Sequence, residues 1–118
     1  MGPLPGTQPG DAVRGAAIVA SRQGGLCLLC HSAPLGDTRL HGNLGPSLNG
    51  AGARWTAGQL RQRVADASSL NPDTVMPSYL RRSSGSRIPA ALADRPLLDA
   101  QQIEDIVAYL LTLRDPGP

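Results

Sequence analysis

Cys27-Leu28-Leu29-Cys30-His31 constrains this chain more than any other stretch. A C-x-x-C-H run sets two thiols on one turn with an imidazole directly after them, and that pattern is the attachment signature of a c-type haem. The spacing has a mechanical reason. The two thiols add to the two vinyl groups along one edge of the porphyrin, and the next residue points its imidazole at the iron. Cys27 and Cys30 are therefore the expected covalent anchors of one haem, with His31 as its proximal ligand. Other uses of the motif fit less well. A thioredoxin-like dithiol needs a βαβ context that the flanking residues do not supply. A zinc ion would have to draw on Cys27, Cys30, His31 and His41, and adjacent Cys30 and His31 do not readily reach one tetrahedral ion together. A disulfide across two residues closes too small a loop to stabilise a domain much.

A haem also answers a problem of composition. The 118 residues fit one domain, yet they include one Trp, two Tyr and no Phe beside 14 Gly and 11 Pro. Aromatic side chains normally carry much of a small domain's buried area, so this core needs a staple. A covalently held macrocycle is such a staple, a large apolar plate to pack on. No stretch approaches the roughly 18 apolar residues of a transmembrane helix, so a soluble protein with no membrane association is expected. The formal charge of +2 comes from 11 Arg, with no Lys, against nine acids. They are spread along the chain, and no nucleic-acid partner is expected. Met1 to Gly10 has neither a charged start nor a continuous apolar stretch, so it is not a secretory signal. An exported form is expected to have lost its signal peptide.

The pattern along the chain is all-α. Residues 1–10, rich in Pro and Gly, read as a disordered N-terminal segment, 11–114 as the folded domain, and 115–118 (DPGP) as a flexible tail. A first helix runs from near Asp11 through Val13, Ala17, Ile18 and Ala20, before Gly24-Gly25 interrupts it. Thr56 with Gln59 forms a capping box for a second helix, carrying Leu60, Val64 and Ala67 to about Ser68. Asp99 with Gln102 opens the last, whose Ile103, Ile106, Val107, Leu110 and Leu111 recur at helical spacing until Arg114 and Asp115-Pro116 end it.

The second axial ligand must be His, Met, a fixed amine or solvent. Met76 stands in a loop bracketed by Pro72 and Pro77 rather than in an apolar stripe, and its thioether would favour ferrous iron and raise the reduction potential. His41 is the rival. The proximal histidine needs an acceptor for its other ring nitrogen, and a backbone carbonyl of the rigid turn Gly45 to Gly50 is the candidate. Arg54 and Trp55 are candidates for a haem propionate, Trp55 equally for plain core. Arg81, Arg82, Arg87 and Arg95, with Asp94 the only acid among them, either dock an acidic partner or form a solvated loop.

An N-terminal helix, CxxCH, GPSLNG, a Met in a Pro-flanked loop and a C-terminal amphipathic helix resemble, in that order, the class I cytochrome c fold. That resemblance implies a proline carbonyl as acceptor of the proximal histidine proton, here Pro46. More narrowly, Gly42 to Arg81, with its string NPDTVMPSYL, and Leu98 to Arg114, with IEDIVAYL, look like SoxX, the small monohaem subunit of the SoxAX cytochromes of bacterial sulfur oxidation. The resemblance implies a periplasmic chain paired with the larger haem subunit SoxA. There the complex joins thiosulfate to a cysteine of the carrier SoxYZ, an L-cysteine S-thiosulfotransferase-type reaction, and the electrons pass to a soluble acceptor. Catalysis by this chain alone is not expected. A free-standing electron shuttle for another redox enzyme is the alternative, and a gas-sensing haem module would need an open iron position.

Overall fold

The computed structural model describes residues 1–21, 27–29, 31–35, 41–43, 45–74, 76, 78–80 and 98–115. Four α-helices occur among them: α1 (Ala12–Ala20), α2 (Ala51–Arg54), α3 (Ala57–Ala65) and α4 (Ala100–Thr112). Two 3₁₀ turns, Cys27–Leu29 and Ala67–Ser69, complete the regular structure, and no strand is present among the described residues.

Both capping boxes form as the sequence predicts. The Asp99 carboxylate accepts the Gln102 amide at 2.7 Å while Gln102 Oε1 accepts the Asp99 amide at 2.8 Å. Thr56 and Gln59 make the same exchange at 3.2 and 2.9 Å. Each satisfies two amides that a helix start leaves without partners. Asp11 caps α1 by accepting from the Val13 and Arg14 amides.

Helix ends differ from the periodicity, for tertiary reasons. The pattern of α3 points to about Ser68, but the helix stops at Ala65. The Tyr79 and Leu80 amides donate to the carbonyls of Val64 and Ala65, both at 3.1 Å, so the returning chain occupies the last turn. α4 stops at Thr112 rather than near Arg114. There the Leu113 carbonyl accepts the Gly52 amide at 3.0 Å and the Arg114 guanidinium reaches the Gly52 carbonyl at 2.9 Å, tying α2 to the end of α4.

The core lies where α1 crosses α4. Val19, Ile103 and Ile106 are its most completely buried large side chains, each worth about 1.5–3 kcal/mol of burial. The buried face of α1 carries Gly15 and Val19, whereas Val13 points outward at 81% exposure. Gly15 is required by closeness: a Cβ there would run into the Asp105 carbonyl and stand 2.9 Å from Tyr109 Cβ.

Residues 1–10, which composition marks as disordered, pack against α3 and α4 instead. Leu4 is buried in the core, and Gln8 exchanges two hydrogen bonds with Gln101. The Met1 carbonyl accepts from Arg61 at 2.7 Å. Arg61 in turn makes a two-pronged pair with Glu104, at 2.7 and 2.9 Å, and both side chains are buried. Leu4 and a few fixed polar partners dock this stretch, and the little backbone freedom that its prolines have to lose partly offsets the larger ordering cost of its glycines. The tail residues 116–118, and Gly24-Gly25, lie outside the described residues.

Candidate haem site

The Cys27–Leu29 turn and the segment after it set His31 in place. The His31 amide donates to the Cys27 carbonyl at 2.9 Å, and the Leu48 amide donates to Ser32 at 2.8 Å, which fastens the turn after Gly45 to the histidine segment. His31 Nδ1 lies 2.7 Å from the Pro46 carbonyl oxygen. A carbonyl only accepts, so Nδ1 carries the proton and Nε2 keeps its lone pair. Gly45 completes the cradle. A Cβ on it would stand 2.6 Å from Nδ1 and 2.8 Å from Nε2, and closer still to Cε1, so the ring lies against a residue with no side chain.

The turn that carries Pro46 is itself braced. Arg54 donates to the Asn49 and Ser47 carbonyls at 2.9 and 3.1 Å. Its guanidinium thus serves the turn while the residue borders the cavity.

His31 and Met76 border the same cavity, of about 420 Å³, walled by Leu48, Trp55, Leu60, Val64, Leu70 and Leu110 among others. That is within the range of cofactor pockets, roughly 300–1,000 Å³. The Met76 loop is turned by Asn71, whose side chain accepts the Asp73 amide and whose carbonyl accepts the Thr74 amide, each at 3.1 Å. Thr74 Oγ1 then accepts the Met76 amide at 3.1 Å. Imidazole and thioether, both ligands of haem iron, so meet at one apolar space. The donor set and the apolar walls fit a flat apolar macrocycle held through iron.

His41 does not join them. Its Nδ1 accepts the Ala33 amide at 3.2 Å, bracing the segment beyond His31, and it is not among the residues lining the cavity. Trp55 is half-buried against the core and lines the cavity as well. Arg63, which sequence reasoning passes over, stacks its guanidinium 3.8 Å from the centroid of the Trp55 ring and lines the same space. Its place between the stripe residues Leu60 and Val64 is the signal that could have found it. Cys27 is half-buried and packs against the core. Cys30, Pro77, Arg81, Arg82, Arg87, Asp94 and Arg95 lie outside the described residues.

Comparison with known proteins agrees with this geometry. The cytochrome c family profile matches residues 12–114. The chain is similar to one in the crystal structure of SoxXA from P. pantotrophus, with 36% sequence identity and a TM-score of 0.86, over 98% of this chain and 89% of that one. No curated protein sequence gives a significant match. The chain belongs to the cytochrome c family, as a SoxX-like member built around one covalently attached c-type haem.

Proposed function

We propose that this chain is the electron-transfer subunit of a SoxAX-type complex in the periplasm, relaying electrons released when thiosulfate is joined to a carrier-protein cysteine. The observation that carries it is the convergence of His31, with its proton fixed toward Pro46, and Met76 on one apolar cavity within a SoxX-like chain. Cys27 and Cys30 would anchor the haem covalently, His31 and Met76 would hold its iron, and the Pro46 carbonyl would orient the imidazole. The cytochrome c domain is residues 11–114, with residues 1–10 packed onto it through Leu4 and Gln8. When bound, the haem supplies a one-electron couple, which a thioether ligand shifts toward the ferrous state.

The residues limit what this chain does in the reaction. Its two cysteines are both taken by thioether bonds, so it holds no thiol to carry a sulfur intermediate. With His31 and Met76 both holding the iron, no position would be left on it for substrate. Forming the sulfur–sulfur bond between thiosulfate and a cysteine thiol releases two electrons and a proton, and that step falls to a larger haem partner of the SoxA kind. The apolar walls at Leu48, Trp55, Leu60 and Val64 would give the couple surroundings of low polarity. Electrons then leave to a soluble acceptor.

The test follows the visible spectrum of the oxidised holoprotein while thiosulfate is added alone, then with a SoxA-type haem protein and a SoxYZ-type carrier. Reduction that requires both proteins and thiosulfate is the expected result. Reduction by many unrelated redox proteins, or none that depends on thiosulfate, would return the chain to a free-standing shuttle.

A further inference from the structure

Asp66 stands where helix physics disfavours it. It is the C-cap of α3, and the carbonyl end of a helix favours cations over carboxylates. Nor does it cap the following 3₁₀ turn, since its side chain accepts no amide there. Its carboxylate serves another contact. One oxygen, Oδ1, accepts from Ser68 Oγ at 3.0 Å and from Ser78 Oγ at 3.1 Å. Ser78 lies two positions beyond Met76, and its hydroxyl also accepts the Ser68 amide at 3.3 Å and lies 3.2 Å from Ser68 Oγ. The Tyr79 and Leu80 amides then bond the end of α3. The way into the Met76 loop is fixed by its own Asn71 turn, whereas the way out is fixed to the end of α3, by the Tyr79 and Leu80 amides and, nearest to Met76, by the Ser78 hydroxyl on Asp66.

We propose that Asp66 is a positioning residue for Met76, holding the exit of the loop through Ser78 so that the thioether is presented at a fixed distance from His31. This rests on the reading of Met76 as the second axial ligand. A thioether binds ferric iron weakly, so the oxidised state depends most on the loop's being held for it. Losing a hydrogen bond to a charged acceptor is enough to change the competition between Met76 and an added ligand by about tenfold.

The experiment titrates imidazole into the ferric holoprotein and records the far-red charge-transfer band that marks thioether ligation. Asp66→Ala and Ser78→Ala should each raise imidazole affinity about tenfold and weaken the band. The double variant should add little to either, because each single variant already removes the Ser78–Asp66 bond that reaches the Met76 loop. Asp66→Asn, which keeps an acceptor oxygen, should restore most of the band and supplies a gentler variant if alanine impairs folding. Lower unfolding stability with unchanged imidazole affinity and band would overturn the proposal and leave Asp66 a fold residue. A wild-type protein without the band, whose imidazole affinity Met76→Ala does not alter, would instead sink the ligand reading on which the proposal stands.

Discussion

A methyl group at position 45 has no room, and this makes Gly45 as much a part of the site as the imidazole it faces. The ring of His31 occupies the volume a Cβ would need, while Nδ1 is tied to the Pro46 carbonyl of the next residue. Ring and turn therefore move together or not at all. Gly45→Ala is expected to lower holoprotein stability by about 1–3 kcal/mol, the usual range for overpacking, and to reduce the yield of haem-loaded protein; denaturant unfolding and the haem-to-protein absorbance ratio measure both. Unchanged values would mean that the ring turns aside without cost. The chain's most chemical residues are legible in the amino-acid sequence itself. Cys27, Cys30 and His31 announce themselves by adjacency, and Met76 by its prolines. Arg63 is marked only by its place on the α3 stripe; its stacking on Trp55 is not legible, because Trp55 precedes the N-cap of α3 and no helical period relates the two.

Among elements, the α1–α4 crossing is the contact on which the others depend. α1 approaches so closely at Gly15 that its neighbour across the gap is backbone, the Asp105 carbonyl. Backbone has no rotamer with which to yield. Gly15→Ala should push the two helices apart and cost about 1–3 kcal/mol in urea unfolding, whereas Val13→Ala on the exposed side of the same helix should stay within about 0.5 kcal/mol. Equal effects would show that the crossing is looser than its geometry implies. The helix starts are readable because a capping box is local, written at Thr56 and Gln59 or Asp99 and Gln102. Helix ends are not, since Ala65 and Thr112 are set by chain returning from Tyr79 and by α2.

Across the whole molecule, Asp105 joins the N-terminal part to the last helix. It accepts from the Asp11 amide at 2.9 Å, from Arg14 at 3.0 and 3.2 Å, and from Gln101 at 3.1 Å. Burial works to raise its carboxyl pKa, but these donors, Arg14 foremost, outweigh it and hold the group below its ordinary 3.8. A depressed carboxyl contributes stability that is present above the unfolded value and lost as pH falls through the folded one. Wild-type stability should therefore drop as pH falls below 3.8, and Asp105→Asn should be less stable at neutral pH with a flatter acid limb; parallel limbs in the two proteins would assign the acid loss elsewhere. The docking of Leu4 and Gln8 escapes sequence reading for the same reason that Asp105 matters: their partners are far along the chain.

That distance also sets an order of events. Arg14 and Asp105 are 91 positions apart, and contacts of such span form late, after the entropy of closing a long loop has been met. The C-x-x-C-H stretch lies inside that loop. Until α4 has been made and has found α1, the two thiols sit on an open polypeptide, accessible from solvent. Arrival of the last helix then closes the fold around the segment that bears them.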